Sequence, residues 1–241
     1  MNDGLVNEEC LRNYINTKKF EDYNSNIQSF LKFVFKDCFN SSMDFYAEKK
    51  GGQVKPDLSI NHNDVERFIS VKKGSGNSVH QEKISVFFPF IENLCGTNTL
   101  NCLKRFHYGD DTIDDTGLKR YNATECKEIY SNDIKILNND FNQKNNLKVF
   151  LERFLFKGNV GNIIVDVVYH GTIDNGLWAT REEILNYVIN NDISINAVHF
   201  GPLTYQVWGR NEKGTASHPE RRYVMQVKWG SITDDLKKIR S

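Results

Sequence analysis

A tight polar turn joins two short strand-like segments, which is the pattern of a β-hairpin. The segments run over about residues 54–60 and 65–73, and an Asn-His-Asn-Asp turn at 61–64 joins them. Asn and Asp favour such turns because they tolerate the left-handed backbone conformation that a hairpin requires. In the second segment, Ile69 and Val71 alternate with other residues, so one side of this strand is predicted to be buried.

Further helix and strand patterns surround the hairpin, and their order predicts the fold class. The predicted helices cover about residues 5–17, 24–39, 78–94, 181–190 and 233–240. The additional predicted strands cover about residues 43–49, 163–169, 197–200, 203–210 and 222–229. Residues 97–157 are predicted to form a helical insertion or subdomain within a single domain of residues 1–241. This order predicts an α/β (α+β) fold in which helices flank a central mixed β-sheet.

Two capping boxes predict where two of these helices begin. Ser78 and Gln81 form an S-x-x-Q pattern, and Thr180 and Glu183 form a T-x-x-E pattern. In such a box the hydroxyl accepts a hydrogen bond from the first helical turn, while the longer side chain reaches back to the N-cap backbone. Ser78 and Thr180 are therefore predicted to be N-cap residues.

Composition excludes several classes of protein. The 241 residues include 31 Lys and Arg and 31 Asp and Glu, so a uniformly basic or acidic protein is excluded. Hydrophobic residues make up 39%, which is enough for a sizeable core. The five scattered cysteines form no C-x-x-C pair, which argues against structural zinc and favours a reducing, cytoplasmic location. No apolar stretch approaches membrane-spanning length, so no membrane partner is expected.

The neutral total conceals an uneven distribution of charge. Residues 49–83 and 201–241 are net basic, whereas residues 109–143 are net acidic. A local basic surface is sufficient to attract the phosphate backbone of nucleic acid. The composition is therefore compatible with a DNA-binding cleft.

Asp57 and Lys72 are the strongest candidates for catalytic chemistry. They lie near the start and the end of the two hairpin strands, which are about 4.8 Å apart, so their side chains can converge on one side of the sheet. A carboxylate can bind a hard divalent cation, and a neighbouring ammonium can position a water molecule or a phosphate. Ser70 lies on the same side, and Glu82, in the first turn of the predicted helix, is expected to supply a second carboxylate.

These residues resemble the active site of the PD-(D/E)XK nuclease superfamily. The Pro-Asp pair at 56–57 matches the PD element, and the Ser-Val-Lys stretch at 70–72 matches the (D/E)XK strand except that Ser replaces the acid. Some type II restriction endonucleases with an S/T-x-K strand carry the glutamate on the next helix, and Glu82 matches that position. The resemblance covers about residues 24–94 and implies a restriction-endonuclease-like core.

The resemblance implies a Mg²⁺-dependent, sequence-specific DNA endonuclease of the type II restriction kind. Asp57 and Glu82 would bind Mg²⁺ in such an enzyme. Lys72 would position or deprotonate the attacking water, and Ser70 would be a hydrogen-bonding neighbour. The implied products carry 5′-phosphate and 3′-hydroxyl ends. The implied partner is double-stranded DNA, bound by a homodimer or a tetramer.

Other interpretations stay open because Ser70 departs from the family pattern. One is a non-catalytic nucleic-acid- or protein-binding domain on a degenerate nuclease fold. Another is a defence or repair nuclease with loose specificity. The identity of the second acid is also open, since Glu66 and Glu21 are rivals of Glu82.

Side chains suited to contacts with DNA lie in two segments. Around the glycine-containing loop that follows Lys72, the candidates are Lys73, Ser75, Asn77 and His80. In residues 205–222, the candidates carry amide, ammonium or guanidinium groups of the kinds that pair with adenine and guanine. They are Gln206, Arg210, Asn211, Lys213, Arg221 and Arg222.

Overall fold

Helices and strands follow one another throughout the residues that the computed structural model describes, which are 3–52, 54–74, 77–210 and 219–241. The helices are α1 Asp3–Asn16, α2 Ser25–Val34, α3 Ile84–Cys95, α4 Thr97–Tyr108, α5 Ala123–Ile129, α6 Ser131–Phe141, α7 Lys144–Leu151, α8 Arg181–Asn190 and α9 Ile232–Arg240. Shorter helical segments are Phe20–Asp22, Glu152–Lys157 and Pro219–Tyr223. None of the described helices has both the length and the apolar character that crossing a bilayer requires.

The strands fall into two sheets within the described residues. They are β1 Tyr46–Lys49, β2 Leu58–His62, β3 Val65–Lys72, β4 Ser78–Lys83, β5 Val167–Gly171, β6 Gly176–Thr180, β7 His199–Phe200, β8 Leu203–Val207 and β9 Val224–Lys228. The first sheet has five strands in the order β1-β2-β3-β5-β6, and the second has four in the order β4-β9-β8-β7.

The chain is divided into two compact units, and each contains one of these sheets. The first unit consists of Met1–Asn77, Glu152–Tyr187 and Ser231–Ser241. The second unit consists of Ser78–Leu151 and Val188–Gly230. The segment predicted as helical, residues 97–157, is largely helical, and its part up to Leu151 belongs to the second unit.

The first sheet is the mixed sheet flanked by helices that the sequence predicts. Strands β3 and β5 are parallel, whereas the other neighbouring strands are antiparallel. Its buried side packs against side chains of α1 and α2, including Leu11, Ile27 and Phe30, which join Ile69 and Val71 in one hydrophobic core. Burial of these apolar side chains is the main force that fixes the position of β3.

The predicted hairpin is confirmed. Strand β2 pairs antiparallel with β3, and Leu58 lies opposite Ile69. Asn63 and Asp64 form the connection with φ values of 50° and 62°. Positive φ at both central residues is what a two-residue hairpin turn requires, and Asn and Asp tolerate it.

The second sheet takes up the strands that the sequence predicts near the C-terminal part of the chain. Strands β7, β8 and β9 lie within the predicted segments, but they pair with one another and with β4 rather than joining the mixed sheet. Tyr205, Met225 and Val227 are 3%, 0% and 0% exposed and define the buried side of this sheet.

The helix predicted to begin at Ser78 is wrong in its first residues. Strand β4 occupies this segment, and α3 begins only at Ile84. The Ser78 hydroxyl does not cap a helix but accepts a 2.8 Å hydrogen bond from Gln226 Nε2 on β9. Because β9 pairs with β4 from Ser78 to Lys83, with one bulge between Ser78 and His80, sheet pairing overrides the local capping pattern.

The second capping box is confirmed, and the strand before it was not predicted. The Glu183 backbone N donates to Thr180 Oγ1 at 3.1 Å, and the Thr180 backbone N donates to Glu183 Oε2 at 2.8 Å. Strand β6 leads into this helix and pairs with β5. Gly176 is required at its start, because a Cβ there would lie 2.1 Å from the hydroxyl oxygen of Tyr169.

Candidate active site

Asp57 is held against β3 by hydrogen bonds to one of its carboxylate oxygens. Oδ2 accepts from the Val71 backbone N at 2.7 Å, from Lys72 Nζ at 2.9 Å and from Ser70 Oγ at 3.1 Å. We call Asp57, Ser70 and Lys72 the Asp57 cluster. In the described part of the chain no donor reaches Oδ1, so this oxygen is available to a ligand.

The register of the hairpin explains why the cluster forms. The Asp57 backbone N donates to Ile69 O at 2.9 Å, which continues the β2–β3 ladder by one residue and places Asp57 opposite Ser70. Lys72, two residues further along β3, lies on the same side of the sheet. The side chains of Asp57 and Lys72 are 23% and 18% exposed, so solvent reaches them. The predicted convergence of Asp57 and Lys72 is observed, and their catalytic roles stay predictions.

His170 lies beside the cluster and was not singled out from the sequence. Strand β5 runs parallel to β3 with His170 in register with Lys72. The imidazole is 8% exposed, and its Nε2 lies 3.1 Å from the Gly74 carbonyl oxygen, at the start of the loop after β3. Only the pairing of β3 with β5, which are far apart in sequence, reveals this position.

Glu8 on α1 is a second carboxylate near the cluster. Burial raises the pKa of Glu8, and the negative charge of Asp57 raises it further, while Lys49 and Lys72 lower it. Glu8 Oε2 lies 3.9 Å from Lys49 Nζ. A carboxylate that is destabilised by a like charge is typical of a site that attracts a cation. Glu8 could not be identified from the sequence, because α1 is brought to the sheet only by tertiary packing.

Lys55, just before the Pro-Asp pair, has a pKa far below that of an ordinary lysine. Burial, followed by the positive charge of Lys72, lowers the pKa of Lys55 to about 7, while Asp57 acts in the opposite direction. Lys55 therefore gives up its proton more readily than an ordinary lysine.

Glu82, the predicted second metal ligand, lies on strand β4 of the second unit and not in a helical turn. It is 5% exposed, and its Oε2 lies 3.0 Å from His80 Nε2. His80 is also buried, at 8% exposure. The predicted helical placement of Glu82 is wrong, and its role as a metal ligand stays a prediction.

The rival acids have other surroundings. Glu66 forms an ion pair of 2.9 Å with Lys50, whose hydrogen bond lowers the pKa of Glu66. Glu21 is exposed in the short helical turn Phe20–Asp22. Neither residue is drawn into the hydrogen bonds of the Asp57 cluster.

The donor atoms around Asp57 fit a hard divalent cation. Asp57 Oδ1 and the carboxylate of Glu8 are oxygen donors, which Mg²⁺ prefers. Among the described residues, no group of three or more His, Cys, Asp or Glu side chains forms a ready-made metal site. A cation at Asp57 would therefore take further oxygen ligands from water or phosphate, as Mg²⁺ commonly does.

Comparison with known proteins finds similarity among solved structures. No protein-family model matches the chain. No curated protein matches it either. The restriction endonuclease MspI in complex with its cognate DNA matches 92% of this chain and 83% of its own, with 14% sequence identity and a TM-score of 0.48. The functional assignment therefore depends on the geometry of the Asp57 cluster.

The predicted DNA-contact residues around the loop after Lys72 have different surroundings. Lys73 is exposed, whereas Asn77 is 5% exposed and donates from Nδ2 to Gly74 O at 2.6 Å. His80 is paired with Glu82 as described above. Ser75 lies outside the described residues.

The predicted base-contact arginines are engaged within the second unit. Arg210 donates to the carbonyl oxygens of Phe106 and His107 at the end of α4. Arg222 forms an ion pair with Asp115. These guanidinium groups stabilise the fold around them, and their DNA contacts stay predictions.

The other predicted DNA-contact residues of the 205–222 segment differ in their surroundings. The Arg221 guanidinium stacks 4.8 Å from the ring centroid of Trp208. Gln206 is exposed on β8, with its side chain pointing away from the buried side of the second sheet. Asn211 and Lys213 lie outside the described residues.

Proposed function

We propose that the chain is a Mg²⁺-dependent endonuclease that hydrolyses double-stranded DNA at specific sequences and leaves 5′-phosphate and 3′-hydroxyl ends. One observation carries the proposal: Lys72 Nζ on β3 lies 2.9 Å from Oδ2 of Asp57, which directly precedes β2. Ser70 also bonds to Asp57, and solvent reaches the pair. Phosphodiester hydrolysis needs a group that orients water and positive charge that stabilises the phosphate, and a carboxylate–ammonium pair can provide both. The same residues carry the resemblance to the PD-(D/E)XK nucleases.

One N–H group of Lys72 makes no hydrogen bond to the described residues. Its ammonium carries three N–H groups, and it donates to Asp57 Oδ2 and to the Val71 carbonyl oxygen. The third N–H is therefore available to orient the attacking water or to bind an oxygen of the scissile phosphate. The water oxygen bonds to phosphorus and the bond from phosphorus to the 3′ oxygen breaks. The attacking water loses one proton to solvent, and the 3′ oxygen takes one proton from solvent.

Asp57 would hold Mg²⁺ through Oδ1, while Oδ2 stays fixed to β3. Bound Mg²⁺ would neutralise negative charge on the phosphate. The hydrogen bonds from Ser70, Val71 and Lys72 fix the direction in which Oδ1 points, so they orient the carboxylate before any ligand arrives. Glu8 and Glu82 are the proposed alternatives for the second carboxylate.

The test is cleavage of supercoiled plasmid and genomic DNA in the presence of Mg²⁺. The wild-type chain should give discrete fragments that a ligase rejoins without prior phosphorylation, because the ends carry 5′-phosphates. Asp57→Ala and Lys72→Ala should each abolish the fragments. Asp37→Ala and Lys36→Ala are matched controls, since both residues are exposed in the same unit and should leave cleavage unchanged.

Two outcomes would contradict the proposal. Full cleavage by Asp57→Ala would exclude the cluster as the active site. Absence of cleavage with Mg²⁺ or Mn²⁺, while DNA binding persists, would favour the non-catalytic binding domain. Fragments of random size that still depend on Asp57 would favour a defence or repair nuclease with loose specificity.

The second carboxylate is identified by comparing two conservative variants. Glu8→Gln should raise the Mg²⁺ concentration needed for half-maximal cleavage if Glu8 cooperates with Asp57. Glu82→Gln should do so if Glu82 is the ligand. A normal Mg²⁺ requirement in either variant removes that residue from the proposed site and leaves the role of Asp57 intact.

A homodimer or tetramer belongs to the same proposal. A palindromic DNA sequence presents identical contacts to two copies of a chain, so symmetric assembly is the simplest way to cut both strands. Analytical ultracentrifugation with and without duplex DNA checks it, and a monomer under both conditions that still cuts both strands at one site would contradict it.

A further inference from the structure

The second sheet has a polar side whose side chains are aligned across its strands. In register, Gln81 on β4 lies opposite Gln226 on β9, and Gln226 lies opposite Gln206 on β8. Partner residues on neighbouring strands point to the same side of a sheet. Three carboxamides are thus arranged in a row perpendicular to the strands, with neighbours about 4.8 Å apart.

A second aligned row lies two residues away on β8 and β9, and three residues away on β4, which has a bulge between Ser78 and His80. Lys228 on β9 is in register with Ser78 on β4 and with Thr204 on β8. We call the side of the second sheet that carries both rows the outer side. Lys228 and Thr204 are half-buried, while Gln206 and Gln81 are exposed. The outer side therefore presents two rows of side chains that can donate and accept hydrogen bonds.

The outer side forms part of a broad cavity in the second unit. A cavity of about 710 Å³ is lined by Thr204, Gln206, Gln226 and Lys228. Among the described residues that line it, the charged ones are Lys127, Arg210 and Lys228, and all of them are cations. A cavity whose charged lining residues are all cations has charge complementary to nucleic acid.

Gln226 and Lys228 on the outer side can still form hydrogen bonds with a partner. Gln226 donates from Nε2 to Ser78 Oγ at 2.8 Å, which fixes its carboxamide and directs Oε1 away from that bond. Lys228 forms no ion pair with any carboxylate of the described residues. A carboxamide can bond to adenine through two adjacent atoms, and an ammonium can bond to guanine O6 and N7.

We propose that the outer side of the second sheet reads base edges in a groove of double-stranded DNA, with Gln226, Lys228 and Gln206 setting the sequence preference. This inference rests on the proposed DNA endonuclease function and assigns its specificity to the second unit. Gln206 was a candidate from the sequence, whereas Gln226 and Lys228 are recognised only through the register of the strands.

The experiment measures sequence preference in two independent ways. Random duplex DNA is selected for binding in Ca²⁺, and random duplex DNA is cleaved in Mg²⁺ with the ends sequenced. The double variant Gln226→Leu/Lys228→Met should lose roughly tenfold to hundredfold discrimination at one or more base positions, the value expected for lost base contacts. The matched control is Gln143→Leu/Lys144→Met, whose residues are exposed in the same unit.

A single substitution and a labelling experiment cover the case in which the double variant does not fold. Gln206→Leu changes an exposed side chain and should alter preference at a base position. In the wild-type chain, duplex DNA should protect Lys228 from an amine-reactive label, while Lys144 stays reactive.

The outcomes separate this inference from the function on which it rests. Wild-type cleavage at a defined sequence with unchanged preference in both variants, or no protection of Lys228, would overturn the base-reading role alone. Wild-type selection of a defined sequence without cleavage would overturn the nuclease function and leave the reading role supported. Dimers that form without DNA and dissociate in the Gln226→Leu/Lys228→Met variant would assign the outer side to a second copy of the chain, which also overturns it.

Discussion

The Asp57 cluster in the first unit and the outer side of the second sheet differ in how far their polar groups are already satisfied. Asp57 Oδ2 has donors from Ser70, Val71 and Lys72, all from one strand. On the outer side, Gln206 is exposed and Lys228 forms no ion pair with a described carboxylate. Both regions contain a lysine, but Lys72 is bonded to a carboxylate, whereas Lys228 is bonded to none among the described residues.

This difference corresponds to two kinds of task. A catalytic group has to be held in one orientation before the substrate arrives, and internal hydrogen bonds achieve this. A surface that discriminates between base pairs needs free donors and acceptors, because a group left unpaired by a wrong base lowers the affinity. The tightly bonded cluster therefore suits cleavage, and the open row suits recognition.

The largest effect is expected when Asp57 loses its charge but keeps its shape. Asp57→Asn should lower the cleavage rate by roughly a thousandfold, within the range found when a catalytic group is removed. It should leave the sequence preference in binding unchanged, because the outer side is intact. Rapid-quench cleavage and binding selection measure the two effects. An altered preference in this variant would show that the cluster also takes part in recognition.

The next largest effect is expected at Lys228. Lys228→Met should weaken binding to the preferred sequence by roughly tenfold to hundredfold relative to random DNA, since a base contact is lost. If Lys228 instead contacts only phosphate, binding should weaken equally for all sequences and the salt dependence should fall by about one ion. Titrations at several salt concentrations decide between these results, and the uniform loss would contradict base reading by Lys228.

The free energy of unfolding should depend on pH through His107, which packs against Tyr205 on the buried side of the second sheet. His107 is fully buried; its Nε2 lies 2.8 Å from the Arg222 carbonyl oxygen, so it donates there, and its Nδ1 accepts from the Tyr205 hydroxyl at 2.6 Å. Burial is the main cause that lowers the pKa of His107 from 6.5 to about 3. Between pH 6.5 and pH 3, His107 is protonated in the unfolded chain but neutral in the folded chain. The free energy of unfolding therefore falls as the pH drops through this range.

The expected loss between pH 7 and pH 5 is about 2 kcal/mol from this residue alone. His107→Gln should be less stable at pH 7 but should lose correspondingly less between the two pH values, as measured by urea unfolding. Glu8 has the opposite sign, because its raised pKa makes its contribution more favourable at low pH. An unchanged pH dependence in His107→Gln would show that His107 is not the acid-sensitive group.

The smallest expected effect concerns the orientation of Gln226. Ser78→Ala removes the hydroxyl that accepts from Gln226 Nε2. The loss of one hydrogen bond should weaken specific binding by about 1 kcal/mol, or roughly fivefold, without changing the preferred sequence. Fluorescence anisotropy with the selected duplex measures it. Ser231→Ala, in the first unit, is the corresponding control.

The sequence predicts the Asp57 cluster well because its determinants are local. The Asn63–Asp64 turn sets the hairpin register, and the period of two along β3 places Ser70 and Lys72 on one side. Glu8 and His170 could not be predicted in the same way. Their positions depend on the packing of α1 and on the parallel pairing of β3 with β5.

The error at Ser78 shows where local patterns fail. The S-x-x-Q pattern is a valid helix start by itself, but strand β9, about 150 residues further along the chain, supplies a pairing partner. Thr180 meets no such competitor and caps α8 as predicted. Pairing over this distance is also why the aligned glutamines of the outer side leave no periodic signal in the sequence.

The discontinuous first unit has a consequence for how the protein is made on the ribosome. The Phe68 backbone N donates to Asp166 Oδ2, a contact between residues 98 positions apart, and Arg240 stacks 4.1 Å from the ring of Phe33. Until these later stretches are synthesised, the β5-facing edge of β3 has unpaired backbone groups, which invite aggregation. We expect the nascent chain to need a chaperone during this interval, and the proposed nuclease activity to appear only after these last residues have been synthesised.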